Sequence, residues 1–223
     1  MDRRAAGGTS RFPQTPSTSP LSRTSGFAAD ARLDAWLTDL LATPGLTAIR
    51  DRAGAWRVHV EDSLAGLELV RRFEGPLVDV GSGGGAPGIP LAAALPEREV
   101  TLLEASERKS AFLERAAAAF PNVRVVRGRA EDQEVDRYGV AVAKALAPPP
   151  VAAEWCLPLV RSGGGVVLWV GPTAERDRVA QVAERLAAEL DDAPHGFLVL
   201  RKVAATPAGF PRRVGVARKR PLA

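Results

Sequence analysis

Five glycines fall between positions 81 and 88, in the run Asp79-Val80-Gly81-Ser82-Gly83-Gly84-Gly85-Ala86-Pro87-Gly88. The run follows an apolar segment that reads as a strand and precedes one that reads as a helix. In a doubly wound sheet such a turn lies at the switch-point crevice, where nucleotide-like ligands bind. Glycine there lets the backbone bend sharply and come close to a ligand. The next strand ends Leu102-Leu103-Glu104, 23 residues after Gly81. A carboxylate at that point can accept both ribose hydroxyls of an adenosine group, so loop and acid together carry more than the loop alone. Two ligand classes compete. Gly81-x-Gly83-x-x-Ala86 nearly satisfies a dinucleotide fingerprint, but that fingerprint holds a pyrophosphate on helix N–H groups. Pro87 and Pro90 stand at the helix entrance and carry no N–H. The spacing Asp79-x-Gly81-x-Gly83-x-Gly85 instead suits S-adenosylmethionine, which has no phosphate, and the reading favours it over NAD.

Other chemistry-bearing residues are few. His59, Asp62 and Ser63 share one helix face at i, i+3 and i+4, whereas a hydrolase triad draws its members from separate elements. They are expected to form a hydrogen-bonded helix start. Cys156 follows Trp155 in an apolar helix and is expected in the core. One cysteine excludes an internal disulfide, and two histidines, His59 and His195, argue against a multi-histidine metal site. His195 is expected in an exposed loop. Trp36 is at core spacing, while Trp56 is expected in a loop where it could stack on a nucleic-acid base.

The elements that must position the loop are legible around it. Strands are expected at 77–80, 100–103, 123–126, 140–143, 166–170 and 197–203. Helices are expected at 89–95, 107–120, 151–159 and 174–190. Continuous Val/Leu strands alternating with helices mean an α/β domain with a mostly parallel sheet covered on both faces. Ahead of it, Leu33, Trp36, Leu37, Leu40 and Leu41 recur at helical spacing up to Pro44-Gly45, and a second helical pattern runs over 59–73. The expected organisation is a disordered tail at 1–26, a helical extension at 27–74 and the α/β domain at 75–223. Between Thr9 and Ser25, nine of seventeen residues are Ser or Thr, too polar to offset the entropy of ordering. No stretch approaches ~20 uninterrupted apolar residues, so no membrane-spanning helix is expected, and the location is expected to be cytoplasmic.

The charge is uneven. The chain carries 30 Lys+Arg and 26 Asp+Glu, a net +4. Residues 201–223 hold seven cations (Arg201, Lys202, Arg212, Arg213, Arg218, Lys219, Arg220) and no acid. Such an end points to a polyanion, with Arg212, Arg213, Arg218, Lys219 and Arg220 as the expected RNA contacts.

The chain resembles the small-subunit (16S) rRNA guanine-N7 methyltransferases (RsmG, glucose-inhibited division protein B). The resemblance runs from Leu46 to the C-terminus. It rests on Leu46-Thr47-Ala48-Ile49-Arg50-Asp51, His59-Val60-Glu61-Asp62-Ser63, the glycine run through Ile89-Pro90, and Thr101-Leu102-Leu103-Glu104. Arg129-Ala130-Glu131, Glu154-Trp155-Cys156-Leu157-Pro158-Leu159 and Phe210-Pro211-Arg212-Arg213-x-Gly215 complete it. The resemblance implies a class I S-adenosylmethionine-dependent methyltransferase fold, S-adenosylmethionine as donor and 16S rRNA of the small ribosomal subunit as partner. It places Gly81 and Ala86 in the cofactor loop, Glu104 at the ribose, and Ala130-Glu131 beside the adenine. Lys144 stands where the family usually has arginine, and is expected at the cofactor too. Val58 replaces an arginine, and Glu104 replaces a more usual aspartate. No catalytic base and no metal is expected, and the chain is expected to act as a monomer. A methyltransferase for another substrate and a non-catalytic RNA-binding relative are the alternative readings.

Overall fold

The structure is a computed structural model that describes residues 30–223. The segment 1–26, expected to be disordered, lies outside the described residues. Helix α1, Ala31–Ala42, starts where the Asp30 side chain accepts Arg32 N–H (2.9 Å) and turns Leu33, Trp36, Leu37 and Leu40 inward. The second helical stretch begins earlier than its apolar spacing implies. Asp51 caps it by accepting Gly54 N–H (2.7 Å), and it runs through α2, Arg52–Trp56, a π-helical turn at Arg57–Glu61, α3, Asp62–Leu64, and α4, Leu67–Val70. It breaks at Gly66, against which Trp169 packs. A Cβ at Gly66 would lie 2.3 Å from the indole Cζ2.

The sheet follows: β1 (Leu77–Val80), α5 (Gly88–Ala94), β2 (Val100–Glu104), α6 (Glu107–Ala117), β3 (Val123–Arg127), β4 (Tyr138–Lys144), α7 (Pro149–Cys156), β5 (Val160–Trp169), α8 (Arg176–Arg185), β6 (Ala188–Asp191), β7 (Phe197–Lys202) and a short α9 (Val216–Lys219). The strand order is β3-β2-β1-β4-β5-β7-β6. The pairings among β1 to β5 are parallel, whereas β7 runs antiparallel to both β5 and β6. Alternate strand residues face two cores. Leu77, Val100, Val140 and Val167 pack with α1, α5 and α6, and Val78, Leu103, Ala141 and Val166 pack with α7 and α8.

Most element bounds fall within two residues of expectation, and the larger departures are at β5 and α8. β5 begins at Val160 rather than 166, because the glycines in Arg161-Ser162-Gly163-Gly164-Gly165 serve close packing and not only a turn. A Cβ at Gly165 would lie 2.2 Å from the Phe73 ring, and one at Gly164 would lie 2.3 Å from Gly139 O. Helix α8 stops at Arg185 rather than 190. The chain turns at Ala187 (φ +53°) into the edge strand β6, whose Glu189 and Asp191 pair with Arg201 of β7. Among the described residues no helix is long and apolar enough to cross a membrane.

Candidate functional site

In the order β3-β2-β1-β4 the chain reverses direction between β1 and β4, so their carboxyl ends splay apart into a crevice. A cleft of about 300 Å³ opens there, lined by Gly81, Glu104, Ala130, Glu131, Leu146 and Trp155 among others. Gly81 and Ser82 N–H both donate to Leu103 O (2.8 and 3.1 Å), which fastens the start of the loop to the end of β2. Gly83 has φ +57°, and a Cβ there would meet only Gly81 O, at 3.8 Å. Its backbone is therefore open to a ligand. Gly88 serves packing instead: a Cβ would stand 2.3 Å from Leu102 Cδ2 and 2.7 Å from Asp79 Oδ2. Trp36, expected in the core, is there, and its Nε1–H also donates to Gly84 O (2.9 Å), so α1 braces the loop from behind.

Glu104 holds the loop from the front. Its Oε2 accepts Gly83 N–H (2.9 Å) and its Oε1 accepts Ser106 N–H (2.7 Å), while the residue lines the cleft at 7% exposure. Each carboxylate oxygen has a second lone pair available for a ribose hydroxyl. Ala130 is buried in the wall, and Glu131 lines the cleft with its Oε1 accepting Gly215 N–H (3.1 Å).

The helix entrance bears directly on the choice of ligand. Gly88 N–H donates to Asp79 Oδ2 (3.0 Å), Ile89 N–H to Gly85 O (2.7 Å), and Pro90 has none. No donor of the first turn is left for a pyrophosphate. The cradle thus lacks the free helix N–H groups on which a dinucleotide's pyrophosphate rests.

Asp79, expected at the cofactor, sits beneath the loop and not in the cleft. It is 1% exposed, and its Oδ1 has no partner. Burial pushes its pKa up to about 7, with the Glu104 charge adding to the rise and Gly88 N–H opposing it. Between about 4 and about 7 the folded chain holds this proton and the unfolded chain does not, so the contribution to stability is lost as pH rises through that window. Asp79→Asn keeps an oxygen for Gly88 N–H and removes the titration. Chemical denaturation at about pH 5 and about pH 8 should show the variant gaining on the wild type at the higher value. An unchanged difference between the two would contradict this assignment.

Lys144, also expected at the cofactor, is not among the residues that line the cleft. Its ammonium pairs with Asp62 (2.6 Å) and donates to Val58 O, so it bolts the helical extension to the end of β4. Trp169 Nε1–H adds a bond to Asp62 O (2.8 Å) from β5. The neighbours of Asp62 form no triad. His59 Nε2 meets Thr47 Oγ1 (2.9 Å), and the buried Ser63 hydroxyl donates to His59 O (2.7 Å). Burial and the Lys144 charge hold the His59 imidazole below its ordinary pKa. Cys156 is fully buried, as expected, and burial pushes its thiol up. His195 is exposed in a turn, as expected, but Trp56 ends α2 and packs on the core instead of standing free in a loop.

The basic end is not a free tail. Arg212 makes a two-pronged pair with Glu154 of α7 (2.6 Å to each oxygen), and Glu154 is 3% exposed. Arg212 is thereby removed from the set expected to meet RNA. Arg201 is engaged by β6, and the buried Lys202 ammonium donates to Leu157 O (3.0 Å) and Thr206 Oγ1 (2.9 Å). Burial pushes Lys202 down to about 8. Arg213, Arg218, Lys219 and Arg220 remain exposed. Trp155, Lys109 and Arg129 line the cleft without having been singled out for it. The only signal for the last was its place before Ala130-Glu131.

The family model for rRNA small subunit methyltransferase G matches residues 33–193. The chain is 38% identical over 198 residues to the ribosomal RNA small subunit methyltransferase G of Synechococcus elongatus, covering 79% of this chain and 82% of that one. It is 36% identical over 204 residues to the protein of that name from Thermotoga neapolitana, covering 84% and 89%. Among solved structures it is similar in fold to an S-adenosylmethionine-dependent O-methyltransferase from Thermotoga maritima (TM-score 0.51, 17% identity, 66% of each chain). It is also similar to a precorrin-6y C5,15-methyltransferase from Geobacter metallireducens (TM-score 0.50, 13% identity, 71% of this chain and 90% of that one).

Proposed function

The chain belongs to the rRNA small subunit methyltransferase G family, and from that premise we propose that it transfers the methyl group of S-adenosylmethionine to N7 of a guanine in 16S rRNA. The observation that carries the reading is the cradle itself: an open Gly83 backbone held by Glu104, over a helix whose first-turn N–H groups are all engaged. S-adenosylmethionine supplies a methyl group already activated by its sulfonium. Guanine N7 has an in-plane lone pair and needs no deprotonation to attack. The protein's part is therefore to hold the reacting atoms in line and keep water out. That agrees with a site in which His59, Ser63 and Cys156 are all turned to structural partners. Gly81 and Leu146 form one wall, with the Leu146 methyl pressed where a Gly81 side chain would be (2.3 Å). The target base must be unpaired or flipped to reach this wall.

The enzyme is read as cytoplasmic and monomeric.

Methyl transfer from labelled S-adenosylmethionine to small ribosomal subunits lacking the modification tests the reading. Label should enter the 16S rRNA, whereas label in no RNA fraction would overturn it. RNA holding is tested separately. With three cations, Arg213, Lys219 and Arg220, on phosphates, log K should fall against log salt with a slope of roughly −2 to −3. Replacing all three by Ala should flatten that slope by about 2 and leave S-adenosylmethionine affinity in place, since the cofactor has no phosphate. A triple variant with the wild-type slope would remove these residues from the RNA surface.

A further inference from the structure

The basic C-terminal segment reaches the cofactor cleft itself. It is fixed there by three independent ties. Arg212 grips both oxygens of Glu154 of α7 through Nε and Nη2 (2.6 Å each), and Nη2 also donates to Arg220 O (2.9 Å), closing the segment on itself. Gly215 N–H donates to Glu131 Oε1 (3.1 Å) on the cleft wall. Ala217 is 2% exposed, and Leu222 packs on the α7–α8 core. Thus α9 is seated over α7, and its Arg218 guanidinium lies 5.9 Å from the centroid of the Trp155 ring. Both Arg218 and Trp155 line the same cleft as Glu104 and Ala130.

We propose that Arg218 is a cofactor-binding residue, the outer wall of the adenine end of the S-adenosylmethionine site, and that through it the C-terminal segment completes that site. The proposal rests on the reading that S-adenosylmethionine occupies this cleft. From Glu104 the cleft continues past the end of β2 to Gly128–Glu131, the stretch to which Gly215 ties α9, so a ribose at Glu104 leaves that wall for the base. A guanidinium is planar, weakly hydrated and stacks on aromatic faces. The Trp155 ring already orients it, and adenine offers a second flat π face. Charge alone would work against binding, because S-adenosylmethionine is itself a cation. A gain in affinity from Arg218 therefore reports contact with the base and not attraction at a distance.

Calorimetry with S-adenosylmethionine and with 5′-methylthioadenosine, which keeps the adenosine and lacks the amino-acid end, separates the possibilities. Arg218 makes no ion pair among the described residues and loses only its Trp155 contact, so Arg218→Ala should fold with a melting temperature within about 4 °C of wild type. It should weaken both ligands by about fivefold or more. Arg218→Lys should not restore them, because the plane is lost. If the wild-type chain binds neither ligand, the assignment of the cleft to S-adenosylmethionine fails. If the wild type binds both and Arg218→Ala binds them equally well, the proposal alone is overturned. Weakening of S-adenosylmethionine without weakening of methylthioadenosine would move Arg218 to the amino-acid end and overturn it too. So would unchanged cofactor affinity with a flatter salt dependence of RNA binding, which would return Arg218 to the RNA surface.

Discussion

Glu104→Ala should weaken S-adenosylmethionine binding at least tenfold while the fold is retained. Glu104 does two things at once. It accepts the N–H groups of Gly83 and Ser106 through separate oxygens, and it presents the cleft with acceptors for the ribose. A hydrogen bond to a charged acceptor contributes about 1.5–3 kcal/mol. Losing the ribose contacts alone therefore costs roughly a factor of ten or more, and a loosened Gly83 adds to it. Glu104→Gln separates the two roles. Its oxygen can still take one N–H, but its NH₂ repels the other, so it should fall between Ala and wild type. Calorimetry gives the affinity and circular dichroism checks the fold. Wild-type affinity in the alanine variant would remove Glu104 from the site.

Arg212→Ala should be the most destabilising change at the C-terminal end. It leaves the Glu154 carboxylate, 3% exposed, without the guanidinium that meets both its oxygens. Removing one partner of a buried pair costs about 3–5 kcal/mol, because the charge left behind is uncompensated. For a domain of this size that is a fall in melting temperature of roughly 6–20 °C. Replacing both, Arg212→Ala with Glu154→Leu, should recover most of the loss, since no stranded charge remains. A double variant as unstable as the single one, or a single variant as stable as wild type, would show that the pair does not hold the segment.

These two residues mark where the sequence was readable and where it was not. Glu104 was found because its place is local. It ends an apolar strand at a fixed distance from a glycine run, and both features come from backbone geometry that sequence spacing encodes. The same holds for α1, whose buried residues recur at helical spacing, and for β1, whose bounds match the apolar run. Arg212 reads as an RNA contact in the sequence because its partner lies 58 residues away, in a helix whose other inward residues are apolar. A charge count sees neither partner nor burial, and Lys202, held by Leu157 O and Thr206, escaped in the same way. Strand β6 was missed for a related reason. Its four residues, Ala188–Asp191, continue the spacing of α8, and only the turn at Ala187 and pairing with Arg201 make it an edge strand. Asp79 reads as a cofactor residue because it opens the glycine spacing that suits S-adenosylmethionine. The structure uses it to cap the first turn of α5 from below.

The most direct test is the identity of the methylated atom. Small ribosomal subunits treated with the chain and S-adenosylmethionine are digested to nucleosides and analysed by mass spectrometry. Parallel rRNA is reduced with borohydride and cleaved with aniline, which breaks the strand at 7-methylguanine. One new 7-methylguanosine per 16S rRNA and one new cleavage are expected, both reduced in Glu104→Ala at S-adenosylmethionine concentrations that do not saturate the variant. Methyl groups on another guanine atom, on a ribose or on another base, or none in the rRNA at all, would contradict it.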